Sequence, residues 1–196
     1  MYIYLLMNNN IIQNRKQNNK YLQYVYLSIA LLSSCCVMTN SYIIPCANIL
    51  GITCIIDFYF VKKFDMFLHH VLVLSMIYGM NNHNDITSNI KLTSTILSAE
   101  ISTIFLTINN LLENINNIKF FKNINRFMFI STFFYYRIYN YGYHLILNKD
   151  IYNILSIYSA NKFILYQKYY TIHSLFIINL YWFGLILNKL VQMYKK

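Results

Sequence analysis

Acidic residues, proline and glycine are all scarce. The 196-residue chain has six Asp and Glu together, one Pro and four Gly. At 57% hydrophobic and 11% charged residues, it has too little polar surface to cover an ordinary soluble domain. The alternating strands of about ten residues that build a membrane barrel are missing too. Cysteine is present without a chelating or exchange pattern. Cys35, Cys36, Cys46 and Cys54 form no CxxC pair and no zinc-like spacing. They read as small apolar packing residues, neither metal ligands nor a disulfide.

What is present is a series of apolar runs of roughly 17 to 25 residues, the length that crosses a bilayer core of about 30 Å. Six can be drawn, with soft ends, at 21–38, 42–61, 64–80, 91–112, 126–147 and 169–190. The expected fold is therefore all-α: a polytopic bundle of six transmembrane helices around a polar-lined cavity. It occupies 21–196, behind an Asn-rich cytosolic tail at 1–20 that has nothing to bury. No cleavable signal is apparent, because the short apolar run at the start precedes the basic residues.

The net charge of +10 could point to nucleic acid, but its distribution points to topology. With the N-terminus in the cytosol, Arg15, Lys16, Lys20, Lys62, Lys63, Lys119, Lys122, Arg126, Lys189, Lys195 and Lys196 collect on the inner side. Lys91, Lys149, Lys162 and Lys168 fall outside. That is the positive-inside bias, and six spans leave both termini cytosolic.

Polar residues within such spans are expensive and need a use. In "FDMFLHHVLVLSMIYGM" (64–80), Asp65 and His69 share a helix face by their spacing of four, with His70 about 100° further round. Asp65 suits a helix cap. Asp57, across a short connection, is expected near the same cytosolic-side depth as Asp65. The adjacent histidines with Asp57 favour function over headgroup anchoring. In "LSAEISTIFLTINNLLE" (97–113), Glu100, Thr103, Thr107 and Asn110 make one polar stripe. Interhelical hydrogen bonding accounts for Thr107 and Asn110. A mid-span carboxylate such as Glu100 either pairs with a cation or is neutral. In "FFYYRIYNYGYHL" (133–145), Arg137, Tyr141 and His144 align by helical spacing; Glu100 is the structural partner candidate for Arg137, and a pair that only fixes helix register stands level with a clamp for an acyl head or phosphate. His173 reads as an interfacial residue. The surplus of Asn and Tyr reads as coding bias, so individual Asn and Tyr residues carry little weight.

Taken in order, "GITCIID", "FDMFLHH", "AEISTIFLTINNLL", "FFYYRI" and "NLYWFGLI" resemble the TLC domain family, the TRAM, Lag1 and CLN8 homology group of lipid-associated endomembrane proteins. The resemblance is closest to its small members outside the ceramide synthases. His69 and His70 match the family's double histidine, Arg137 its arginine and Trp182 its last-helix tryptophan. Where ceramide synthases carry two Asp in the equivalent of the fourth span, this chain has Glu100 and Thr103. That departure tells against acyl transfer to a sphingoid base.

The resemblance implies a multi-pass protein of the endoplasmic reticulum or a related endomembrane that binds, senses or modifies acyl lipids in membrane lipid homeostasis. His69, His70 and Asp57 would be catalytic if it is an enzyme. Glu100, Thr103, Arg137, Tyr141, His144 and Trp182 would contact lipid. A histidine beside a carboxylate in an apolar cavity suits general-base activation of an amine or hydroxyl toward a thioester. The alternative is accordingly a ceramide-synthase-like N-acyltransferase with acyl-CoA as co-substrate; otherwise no cofactor is expected. A di-iron desaturase is set aside, since His69 and His70 are the one histidine cluster. A small carrier or channel ranks third. The expected partners are membrane lipids or fatty-acyl groups and no nucleic acid, with a homo-oligomer left open.

Overall fold

A computed structural model describes residues 9–58, 63–81, 86–112, 115, 118–159 and 161–194. Lys62, Lys195 and Lys196 of the charge pattern lie outside these residues, as do Glu113 and the first eight residues of the tail. The described chain is helical, in the order α1 (Asn9–Thr39), α2 (Ile43–Asp57), α3 (Phe64–Asn81), α4 (Ile86–Leu97), α5 (Glu100–Leu112), α6 (Lys119–Thr132), α7 (Ile151–Tyr158) and α8 (Lys162–Tyr194). Between α6 and α7 the helix continues in π form over Phe133–Asn140 and Gly142–Ile146.

Local chemistry explains most of the boundaries. Two left-handed residues, Asn40 and Tyr42, turn the chain from α1 into α2. Pro45 lies in the first turn of α2, where its missing N–H would have had no helical partner anyway. The side chain of Asn161 accepts from the backbone N–H of Ile164 at 2.9 Å and so caps α8. Residues 9–20, read from the sequence as a tail, continue α1 as helix.

Two features depart from the sequence reading. The fourth run is not one helix: it breaks at Ser98–Ala99, and short backbone bonds from Ile101 to Ser98 (3.1 Å) and from Ser102 to Ala99 (3.3 Å) tighten the restart. The fifth run ends in π-helix, closed by a five-residue bond from Leu147 N–H to the Gly142 carbonyl at 2.8 Å. The short α7 was not foreseen either.

By length and apolarity, Tyr21–Thr39, Leu92–Leu112 and Lys162–Gln192 qualify as membrane crossings, and α2 is a shorter apolar helix. At about 1.5 Å per residue the 33 residues of α8 run about 50 Å, well beyond the bilayer core. Outward faces carry Ile52, Ile55, Phe120 and Ile177, all more than half exposed, as hydrocarbon solvent allows and water does not. The molecule is an all-α polytopic membrane protein.

α1 packs against α5, α3 against α8, α5 against α6, and α2 bridges α1 and α3. Met76, Tyr141, Leu155, Ile172 and Leu175 form the main core, and a smaller cluster gathers Cys36, Ile43, Cys46, Ala47 and Leu97. Lys168, placed in an outer loop by the sequence reading, lies within α8 and is wholly buried. Its stem crosses Gly79 so closely that a Cβ there would stand 2.9 Å from Lys168 Cγ.

Candidate functional site

Buried and half-buried polar side chains from six segments lie between the helices. On the α2 side, Asp57 closes its helix 7% exposed, and its Oδ1 accepts a hydrogen bond from the hydroxyl of Tyr26 on α1. Its other oxygen lies 3.7 Å from His70 Nε2 on α3. Tyr26, Asp57 and His70 thus form a chain across three helices, in which the phenol holds the carboxylate and the carboxylate faces the imidazole.

The spacing of Asp65 and His69 places both against α8. Trp182 Nε1 donates to Asp65 Oδ2 at 2.9 Å, and the His69 ring lies 4.9 Å from the Trp182 ring and 5.8 Å from that of His70. Asp65 therefore ties α3 to α8, although the sequence suggested a cap. The Nδ1 atoms of both His69 and His70 are buried and make no hydrogen bond among the described residues. A buried polar nitrogen without a partner costs about 1–3 kcal/mol.

Arg137 is buried on the π-helical segment, and a buried cation needs partners. Its Nε donates to Ser102 Oγ at 2.8 Å and to the Ala99 carbonyl at 3.2 Å. Nη2 donates to Thr103 Oγ1 at 2.9 Å, and Nη1 reaches Asn179 Oδ1 at 3.4 Å. The Phe133 ring lies beneath the guanidinium at 5.4 Å. Glu100 Oε1 stands 3.7 Å from Nη2, so carboxylate and cation face one another as the stripe predicts, beyond direct hydrogen-bond length.

The break between α4 and α5 makes this arrangement work. It sets the Ala99 carbonyl, shared by Ser102 and Arg137, at the helix restart and puts Glu100 in the first turn of α5, where the helix dipole favours a negative charge. Both carboxylates, Asp57 and Glu100, lie within electrostatic range of His70, and Arg137 lies within range of His69. Contacts join His69, His70, Asp57 and Trp182 in one group and Glu100, Thr103 and Arg137 in a second that faces it.

Two residues read as lipid contacts lie elsewhere. Tyr141 is buried in the core and donates to the Ile172 carbonyl at 3.1 Å. His144 is exposed on a groove of about 620 Å³, which also meets Asn40, Ser94, Ser98, Tyr136 and Asn140. The π register explains the separation. Phe133, Arg137, Tyr141 and Leu145 recur every fourth residue on the buried side. α-Helical spacing of seven would have returned His144 to the face of Arg137.

His173 hydrogen-bonds the Tyr169 carbonyl through Nδ1 at 2.8 Å, away from the cluster. Among the described residues, no three His, Cys, Asp or Glu side chains converge as a metal site.

Sequence reasoning missed Tyr26, Ser102 and Asn179. Ser102 follows Glu100 by two, and a Ser ahead of Thr103 offered no stripe of its own. Tyr26 and Asn179 were hidden among 20 tyrosines and many asparagines.

Comparison with known proteins gives a family match. The sequence model of the TLC domain fits residues 1–188. No curated protein and no solved structure matches.

Proposed function

The chain belongs to the TLC domain family, a lipid-associated group of membrane proteins, and from that premise we propose that it binds, senses or modifies acyl lipids through the cluster around His69, His70 and Arg137. One observation carries the reading: two adjacent imidazoles present buried Nδ1 atoms that no described residue satisfies. A polar lipid group seated there would supply the missing partner, with the cation of Arg137 nearby to attract an anionic head. The work would be membrane lipid homeostasis, in the endoplasmic reticulum or a related endomembrane, with no cofactor.

A second reading, acyl transfer from acyl-CoA to an amine, is favoured by the orientation of His70. With Nε2 turned to Asp57, the neutral ring carries its proton on Nε2 and its lone pair on Nδ1. Nδ1 would then take the proton of an attacking amine while Asp57, held by Tyr26, stabilises the charged ring. The engagement of Thr103 by Arg137 ranks this second, since the position holds a structural hydroxyl where the ceramide-synthase pattern has an acid.

The test is to purify the full chain in detergent and identify co-purified lipids by mass spectrometry, for wild type and for His69→Ala with His70→Ala. An acyl lipid present in the wild type and lost from a folded double variant is expected. Equal lipid profiles in the two proteins would overturn the assignment. Turnover of acyl-CoA with an amine, abolished by Asp57→Asn, would promote the second reading over the first.

A further inference from the structure

We propose that Cys36 and Cys46 are a disulfide-forming pair that glutathione disulfide closes, clamping α1 to α2 beside their hairpin turn. The two sulfurs already touch: Cys46 Sγ donates to Cys36 Sγ at 3.0 Å. A bond of about 2.0 Å asks for about 1 Å of approach. The geometry is specific to this pair. Cys35, next in sequence, is exposed on another face of α1, and Cys54 lies two turns further along α2. The sequence alone, which offered no spacing rule, read all four as packing residues.

Access comes through the turn. Cys36 lies in the last turn of α1 and Cys46 in the first turn of α2, buried at 7% and 3% exposure under a connection whose Met38 and Tyr42 are 76% and 80% exposed. Backbone bonds from Ser41 N–H to the Cys36 carbonyl and from Cys46 N–H to the Tyr42 carbonyl hold that connection. Fraying of this exposed end uncovers both thiols together.

The chemistry is thiol–disulfide exchange. The thiolate of one cysteine attacks a sulfur of glutathione disulfide, breaking its S–S bond and expelling one glutathione thiolate. The second cysteine, as thiolate, attacks the protein sulfur of that mixed disulfide and expels the other. Two protein thiols are oxidised, one disulfide is reduced to two glutathione molecules, and the two protons pass to them.

The clamp bears on the candidate site through helix geometry. Cys36 lies ten residues from Tyr26 on α1, and Cys46 eleven from Asp57 on α2. These stretches run about 15 and 16 Å, so in an antiparallel pair the sulfur contact and the Tyr26–Asp57 hydrogen bond mark opposite ends of one helix pair. A bond at one end fixes the register in which Tyr26 meets Asp57 at the other.

Cyanogen bromide provides the readout, because cleavage after Met7, Met38 and Met66 puts Cys36 and Cys46 on separate fragments, 8–38 and 39–66. The purified full chain carrying Cys35→Ser and Cys54→Ser is incubated with glutathione disulfide, alkylated and cleaved, with the wild type treated in parallel. The expected result is that the two fragments stay joined until a reductant is added, carry no glutathione mass, and separate once Cys46→Ser is introduced. The oxidised form should also melt several degrees higher than the reduced form, and only when both cysteines are present. Fragments that separate without reductant, or a single cysteine left bearing glutathione, would overturn the pair; a joined pair with unchanged melting would overturn the clamp.

Discussion

Arg137 donates through Nε to the carbonyl of Ala99, which lies at the break in the fourth apolar run and also accepts from Ser102. The cation and the broken helix thus meet at one point: the guanidinium adds a donor to the carbonyl at the helix restart, which Ser102 also binds, and the restart places Glu100 opposite.

Removing the cation should therefore be costly. Arg137→Ala leaves the half-buried Glu100 and several acceptors without it, and breaking a buried pair from one side costs about 3–5 kcal/mol. Arg137→Lys should recover only part of this, since an ammonium cannot reproduce the guanidinium fork across Ser102, Thr103 and Asn179. Thermal unfolding of the purified variants in detergent checks both. An Arg137→Ala protein within 0.5 kcal/mol of wild type would contradict the arrangement.

Tyr26 and Tyr24 are neighbours on α1 with different expected effects. Tyr26→Phe deletes the hydroxyl that binds the Asp57 carboxylate, a hydrogen bond to a charged acceptor worth about 1.5–3 kcal/mol. Tyr24 is 55% exposed, so Tyr24→Phe should stay within about 0.5 kcal/mol of wild type. Paired with Asp57→Asn in a double-mutant cycle, Tyr26→Phe should couple by at least 0.5 kcal/mol, and additive effects would show that the contact contributes nothing.

Glycine to alanine should act in opposite directions at two sites. At Gly79 the new Cβ would meet the Lys168 stem at 2.9 Å, and overpacking of this kind costs about 1–3 kcal/mol. At Gly184 nothing lies within 4 Å, so the gain in helix propensity of about 0.5–1 kcal/mol should survive. Melting temperatures that move the same way in the two variants would refute the close crossing of α3 and α8.

The six crossings expected from the sequence would place both termini on one side of the membrane, and the bias of basic residues would make it the cytosolic side. Reporter fusions at residues 1 and 196 should read the same compartment, and opposite readings would refute the even number of spans.

Much of the site was legible because cost in hydrocarbon is visible in sequence. Asp57, His70, Glu100 and Arg137 stand out as residues no lipid face tolerates, and spacing of three or four put Glu100 with Thr103 and Asp65 with His69. What stayed hidden depended on backbone geometry. Ser98 followed by Glu100 is a weak helix-start signal, the kind that marks a cap and a first turn, and a run without Gly or Pro masked the break. The π register has no residue signature of its own, so His144 was assigned to the wrong side. Lys168 was misplaced because α8 begins before its apolar run does; a buried stem beside a glycine is a packing fact, unreadable from charge.

Trp182 is the one tryptophan in the chain, and its ring rests against His69 while its N–H binds Asp65. The protein accordingly carries a built-in optical reporter at the junction of α3 and α8. Indole emission follows the polarity and charge around the ring, and here those are set by one imidazole and one carboxylate. Protonation of His69, or arrival of an anionic head beside it, should alter intensity or wavelength without any label being attached. With a single indole in the chain, a titration with lipid can be followed in native protein beside the two histidines.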